Sequence, residues 1–398
     1  MDITKSFEFK CPTRILFGVN LVESLGEEVK ALEIQRLLLV TDEGVVNAGL
    51  LERVIRSLDA SAIDYTIFAS VEANPTTTTV HNGTEIFRRD KCDGLLAVGG
   101  GSPMDAAKGI GVQATHEGDI MDYSRRVGKP IQDITPPLIA IPTTAGTGSE
   151  VTWVSVLVDP KERVKIVVPS PYISAKVALV DPSLTVSLPP QVTAFTGMDA
   201  LTHAIEAYVS TKSMPIADSL ALEAIQLISS NLRQAVGNGE NMAARANMLL
   251  ASTLAGMAFV NASVGLVHAV AHALGGFFDI AHGTANAIML PLVMRFSLIG
   301  NPGKYADIAV AMGENVEGLN EMEAAREAVF AVESLAADIG IPQDLKQMGA
   351  DPARINDLAE ETLNQKGALP FNPRKVGKPE VIQLFEQAFE PSKGGDKP

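Results

Sequence analysis

The sequence predicts two architectures in succession: an open α/β sheet over residues 1–185, then an all-helical region over 186–398. Three observations carry this. Short apolar runs alternate with amphipathic stretches through the first half, glycine-rich turns follow the strands, and strand-like alternation vanishes after "SLPP" (187–190). A chain of 398 residues also exceeds one ordinary core, so two domains are the natural division.

The elements follow in order. "RLLLV" (36–40) is a continuous apolar run ending at Thr41 and Asp42, with a helical stretch near 45–59 behind it. "DYTIFA" (64–69) reads as a second strand, and "NPTTTTVHNGTEIFRRD" (74–90) opens on a proline and continues as a helix. "GLLAV" (94–98) precedes three glycines and the helical "DAAKGIGVQAT" (105–115); "PLIAI" (137–141) is the fourth strand. Apolar runs without alternation belong to strands covered on both faces, which is the condition of a parallel sheet. "VTWVSVLVDPKERVKIVVPS" (151–170) reads as a hairpin turning at Asp159-Pro160-Lys161, followed by "KVALVDPSL" (176–184). Beyond the boundary, "DSLALEAIQLISSNLRQAV" (218–236) and "EAAREAVFAVESLAADIG" (323–340) are long helical segments. The "PSKGGDKP" tail (391–398) is expected to fray.

Composition narrows the function classes. Hydrophobic residues at 46% and charged residues at 20% fit a packed globule, not a disordered chain. Lys plus Arg number 32 against 47 Asp plus Glu, a net charge of −15 that repels nucleic-acid phosphates and anionic lipid. The N-terminus lacks a basic segment followed by an apolar run, so no signal peptide is expected. Gly, His or charge interrupts the apolar stretches, and none is read as a membrane span. Two cysteines, Cys11 and Cys92, make no disulfide framework and suit a reducing, cytoplasmic compartment.

Two groups of residues carry chemistry. "AVGGGSPMDAAK" (97–108) sets three glycines between a strand and a helix, with Ser102 expected as N-cap and Pro103 as first helical residue. Free amides and the positive end of the helix dipole make such a turn an anion site. "IPTTAGTGSE" (141–150) puts Thr143 and Thr144 at the carboxyl end of the next strand, where open α/β sheets bind ligands. Asp42 can accept from ribose hydroxyls and would repel a 2′-phosphate, which favours NAD over NADP. Taken alone, Asp42 fits a helix cap or loop acid equally well.

The second group is histidine-rich. Of six histidines, His268, His272 and His282 fall in "GLVHAVAHALGGFFDIAHG" (265–283), with Gly275-Gly276 expected to break the helix so that His282 turns back. One helix earlier, "TGMDALTHAIEAY" (196–208) sets Asp199 and His203 four apart, the spacing of His268 and His272. The two pairs and His282 offer four or five N/O ligands to Fe(II), Zn(II) or a neighbouring divalent metal. An isolated histidine in an apolar helix is ordinarily a core residue; this concentration beside an aspartate points to a metal. His81 and His116 take no role. The metalloprotease pattern needs H-E-x-x-H, and the glutamate is missing from "HAVAH". A metal beside a dinucleotide site suggests hydride transfer between an alcohol and nicotinamide.

"GGGSPMDAAK" (99–108), "PTTAGTGSEVT" (142–152), "AFTGMDALTHAIEAYVS" (194–210) and "GLVHAVAHALGGFFDIAHGTANAIMLP" (265–291) resemble, in this order, the motifs of the iron-containing (group III) alcohol dehydrogenases. The resemblance implies a Rossmann-like NAD-binding domain and a helical metal-binding domain, the dehydroquinate synthase-like architecture, with the active site in the cleft between them. It implies metal ligation by Asp199, His203, His268 and His282, with His272 as the catalytic neighbour facing substrate. It further implies cofactor contacts from Asp42, Asn74, Gly100, Gly101, Ser102, Thr143, Thr144 and Lys165. Asn74 sits in "ANPT" where the family has "PNPT", and "ERVKIVVP" around Lys165 is the weakest motif. The implied activity is interconversion of short primary alcohols or diols and aldehydes, with Fe(II) or Zn(II), by a cytoplasmic homodimer or larger assembly. Two alternatives stand beside it. A lyase of the dehydroquinate synthase type would need a Lys/Arg cluster that the signature segments lack. A non-enzymatic metal- or nucleotide-binding scaffold would give no NADH change with any alcohol.

Overall fold

The computed structural model describes residues 6–390 apart from 163; the "PSKGGDKP" tail lies outside them. Two compact units divide the chain. One comprises Lys10–Leu188 with Gly239–Gly256, the other Pro189–Asn238 with the chain from Met257 onward.

The first unit is built on a parallel sheet of six strands: β1 (Arg14–Phe17), β2 (Arg36–Val40), β3 (Asp64–Phe68), β4 (Gly94–Gly99), β5 (Leu138–Pro142) and, further along the chain, β8 (Val177–Val180). Their order is β1-β8-β5-β4-β2-β3. β4, β5 and β8 are buried at every residue, as their uninterrupted apolar sequence requires. Helices α1 (Leu25–Ala31), α2 (Glu43–Asn47), α3 (Leu51–Ala60), α4 (Thr77–Arg89) and α5 (Gly101–Thr115) connect the strands. Two apolar clusters result. Leu37, Leu39, Leu96 and Val98 contribute to one, and the alternate residues Leu38, Val40, Leu95 and Ala97 to the other. The period-2 alternation of a strand thus feeds two layers. β6 (Val154–Asp159) and β7 (Val164–Pro169) form the expected antiparallel hairpin, with Lys165 opposite Val158.

The second unit is helical: α6 (Pro190–Val209), α7 (Pro215–Gly237), the end of α8 (Met242–Ala262), α9 (Leu266–Phe278), α10 (His282–Ser297), α11 (Pro302–Ala311), α12 (Glu321–Asp338), α13 (Ile355–Asn364) and α14 (Lys378–Phe389). Most of α8 groups with the sheet unit.

Several sequence expectations need correction. β1 was missed. α5 starts at Gly101 with Gly100 as its N-cap, two residues before the Ser102 cap expected. Gly275-Gly276 does not break α9; the helix runs to Phe278 and stops at Asp279, whose φ of 54° is the left-handed cap conformation. The Asp199/His203 segment is not one helix earlier, since α7 and α8 intervene. Two apolar helices, Met242–Ala262 and His282–Gly300, are long and apolar enough to cross a membrane by length and composition alone. More than half of each apolar window is buried inside protein, 56% and 67%, the condition of a core helix.

Candidate metal centre and cofactor cradle

Helical spacing assembles the centre. Asp199 and His203 lie one turn apart on α6, His268 and His272 one turn apart on α9, and His282 is the first residue of α10. α10 packs against both other helices. One donor atom from each of Asp199, His203, His268 and His282 lies within 4.8 Å of all the others. His203 Nδ1 is 4.0 Å from Asp199 Oδ2, and His282 Nε2 is 3.9 Å from Asp199 Oδ1. Bonds of about 2.1 Å in a tetrahedron put ligands about 3.4 Å apart, so a modest contraction closes the set on one ion.

The donors suit a borderline divalent metal: three imidazoles, one carboxylate and no thiolate. Asp199, His203 and His268 are buried. His203 Nδ1 is fully buried and has no hydrogen-bond partner among the described residues. A buried ring nitrogen with nothing to bond is costly, and a metal or a proton-bearing ligand would satisfy the cluster it faces. The residues therefore fit a metal of the kind the sequence implies.

His272 stays outside this set of four. Its ring is 5.4 Å from that of His282 and 6.4 Å from that of His268, beside the cluster. Its Nδ1 lies 3.3 Å from Gln365 Oε1, and Gln365 Nε2 donates to Glu361 Oε1 at 2.7 Å. The donation to Glu361 fixes the amide so that its oxygen faces His272.

Three residues here escaped the sequence reading. Glu206 continues the Asp199/His203 face at i+7 and accepts from His268 Nδ1 at 2.6 Å. Burial pushes its carboxyl up to about 7, against the pull of the N–H groups and His203 around it. Asn286, one turn beyond His282 and fully buried, donates from Nδ2 to Asp199 Oδ1 at 2.6 Å. The same nitrogen faces His282 Nε2 at 3.2 Å and His268 Nε2 at 3.4 Å. Spacing could have flagged Glu206 and Asn286. Gln365, 93 residues from His272, had no sequence signal.

The sheet unit carries a separate constellation. β5, β4 and β2 are adjacent and parallel, so Thr143, the Gly99–Ser102 turn and Asp42 sit at neighbouring carboxyl ends. β2 continues to β3 on one side while β4 leads to β5 on the other. The strand order therefore reverses between β2 and β4, the point where open sheets bind nucleotides. Gly99 has φ +149° and a Cβ there would meet Pro103 Cγ at 2.6 Å, so only glycine fits. A Cβ on Gly100 would stand 3.1 Å from Thr144 Oγ1, and one on Gly101 would stand 3.0 Å from Thr147 Cγ2. The two loops thus frame the open N-terminus of α5. Asp42 caps α2 by accepting from Val45 N–H at 2.9 Å. Ser102 Oγ donates to Ala73 O at 2.6 Å, which ties the turn to the segment holding Asn74. Lys165 lies on the β7 strand of the hairpin.

A buried polar network holds this cradle. Lys108 Nζ donates to Ser149 O and Oγ at 2.8 Å each and to Thr152 Oγ1 and Val154 O at 3.0 Å each. Asp105 accepts from Ser149 Oγ and Val156 N–H at 3.0 Å each. Burial pulls the Lys108 ammonium down and pushes the Asp105 and Glu150 carboxyls up, each opposed by its partners' charge.

Comparison with known proteins decides the family. The model described as "Iron-containing alcohol dehydrogenase" matches residues 12–182, and "Fe-containing alcohol dehydrogenase family, C-terminal" matches 193–389. The chain belongs to the iron-containing alcohol dehydrogenases. It is 47% identical over 390 residues to a 1,3-propanediol dehydrogenase of Citrobacter freundii, covering 97% of this chain and 99% of that relative. A solved 1,3-propanediol oxidoreductase superposes with a TM-score of 0.93 at 45% identity, covering 97% of this chain and all of the other. An NADH-dependent butanol dehydrogenase A from Thermotoga maritima gives 0.88 at 28% identity, covering 97% and 99%. This iron-type dehydrogenase is an oxidoreductase acting on alcohols, of a family that uses NAD and a divalent metal, typically Fe(II). The lyase alternative is not favoured.

Proposed function

We propose that this iron-type dehydrogenase interconverts short primary alcohols or diols and their aldehydes, with a three-carbon diol as leading substrate. One observation carries the site: Asp199, His203, His268 and His282 converge as a buried N/O donor set with no thiolate. Similarity to 1,3-propanediol dehydrogenase supports the diol.

In this reading those four residues hold the metal, which when bound polarises the alcohol or carbonyl oxygen. Residues 1–185 carry NAD and residues 186–398 the metal. Gly100, Gly101 and the α5 N-terminus receive the diphosphate, with Ser102, Thr143 and Thr144 beside it, and Asn74 and Lys165 complete the cofactor contacts. Asp42 accepts from the adenosine ribose hydroxyls and disfavours a 2′-phosphate. The alcohol gives up its hydroxyl proton and a hydride, so the products are aldehyde, NADH and a proton. His272 takes the proton, its ring held by Gln365. The protein works in the cytoplasm as a homodimer or larger homo-oligomer, without membrane or nucleic-acid partners.

The test follows NADH absorbance across a panel of alcohols, diols and aldehydes with separately loaded Fe(II), Zn(II) and Mn(II). NADH formation from 1,3-propanediol that disappears in Asp199→Ala supports the reading. No turnover of any alcohol by metal-loaded protein would overturn it.

A further inference from the structure

We propose that Glu206 is the positioning residue that makes His268 a metal ligand, by fixing its tautomer and placing a second buried negative charge behind its ring. This rests on the metal reading above and extends it to a residue outside the ligand set.

The geometry forces the assignment. Glu206 Oε2 is 2.6 Å from His268 Nδ1 and accepts from Gly265 N–H at 2.8 Å; Oε1 accepts from Val267 N–H at 2.6 Å. Both Glu206 oxygens already accept from backbone N–H groups, and with a cation bound beyond the ring the carboxyl is ionised and accepts from His268 Nδ1 too, so Nδ1 carries the hydrogen and Nε2 presents its lone pair. Nε2 is also the nitrogen that the Asn286 amide group faces. The two backbone donors open α9, and they anchor the carboxylate on the same helix that carries His268. Glu206 therefore cannot turn toward the ion without abandoning two N–H groups.

Charge gives the second reason. Three neutral imidazoles and Asp199 leave a divalent ion with one uncompensated positive charge in a buried site. Glu206, itself buried, supplies the second negative charge through the ring. A carboxylate on the far nitrogen also makes the imidazole a stronger donor, and loss of such a partner typically costs about 10- to 100-fold in metal affinity.

The experiment uses full-length protein stripped of metal by chelator and titrated with Co(II). Affinity is read by competition with a chromophoric chelator, and ligand geometry by the Co(II) visible bands. In Glu206→Gln the new NH2 must oppose one of three N–H donors; the expected result is Co(II) affinity weaker by about 10- to 100-fold with an altered spectrum. In a His268→Ala background the same change should alter affinity less than about twofold, because its route to the metal is gone. Glu206→Asp keeps the charge but not the reach, and should fall between wild type and Glu206→Gln. It carries the test alone if the glutamine variant fails to fold, judged by the thermal melt of the metal-free protein. Wild-type affinity and spectrum in Glu206→Gln, or an equal loss in the His268→Ala background, would overturn the proposal while leaving the metal reading intact. Failure of the wild type to bind Co(II) would overturn both.

Discussion

Replacing Lys108 by methionine tests how the cofactor cradle is held. Methionine nearly matches the lysine stem in volume, so the change removes the ammonium and leaves little cavity. Ser149 O and Val154 O lose their buried donor, and Asp105 and Glu150 lose their counter-charge. Breaking a buried ion pair by removing one partner costs about 3–5 kcal/mol. At about 2–4 °C per kcal/mol for a unit of this size, the unfolding midpoint should fall by roughly 6–20 °C. The pH dependence has a definite sign. Asp105 and Glu150 already have raised carboxyl pKa values, so their contribution is complete at acid pH and lost as pH rises through the folded pKa. Removing Lys108 raises them further, so the deficit should widen from about pH 5 to pH 8. Calorimetric unfolding of wild type and Lys108→Met across that range reads both effects. A loss under about 1 kcal/mol, or a gap that narrows with rising pH, would refute the account.

Three further outcomes follow. Asp42→Asn keeps the side-chain oxygen that caps α2, so stability should change by less than about 0.5 kcal/mol. Without the charge, the NADPH-to-NADH ratio of kcat/KM should rise at least about tenfold; an unchanged ratio contradicts the ribose assignment. Gly283→Ala would put a Cβ 2.8 Å from Phe195 O and press α10 away from α6. Overpacking of about 1–3 kcal/mol should show as weaker metal binding, and wild-type affinity would mean that this contact does not set the spacing of Asp199 and His282. Burial pushes the Cys92 thiol up to about 11, whereas Cys11 is exposed. Mass spectrometry after alkylation of native protein should find Cys11 alone modified, with Cys92 following only on unfolding; prompt modification of both contradicts the buried placement.

How much the sequence disclosed depended on local signal strength. "RLLLV", "GLLAV" and "PLIAI" were legible because strands buried on both faces need uninterrupted apolar runs. β1 was not, because "RILF" has only four residues and both ends are exposed, so neither alternation nor a full apolar run appears. Gly275-Gly276 misled because glycine costs a helix only about 1 kcal/mol, which packing along the α9 face outweighs. The Asp199/His203 and His268/His272 pairs were legible from i, i+4 spacing as metal candidates; the separation of His272 from the candidate set came from the family resemblance, and in three dimensions from the convergence of Asp199, His203, His268 and His282. Glu206 carries a metal-adjacent role without being a histidine, and its sequence signal is a lone glutamate inside the apolar run of α6, which demands a buried partner. Asn286 stands one turn from His282, a spacing that could have flagged it, whereas Gln365 acts through a contact made only by folding.

Metal content tests the central claim most directly. Full-length wild type, loaded anaerobically with Fe(II) and desalted, should retain about one metal ion per chain, the stoichiometry of a single four-ligand site. Asp199→Ala and His268→Ala, treated identically, should retain almost none while His272→Ala retains the wild-type amount. Full metal occupancy in Asp199→Ala or His268→Ala, or its loss in His272→Ala, would contradict the assignment of ligands to these helices.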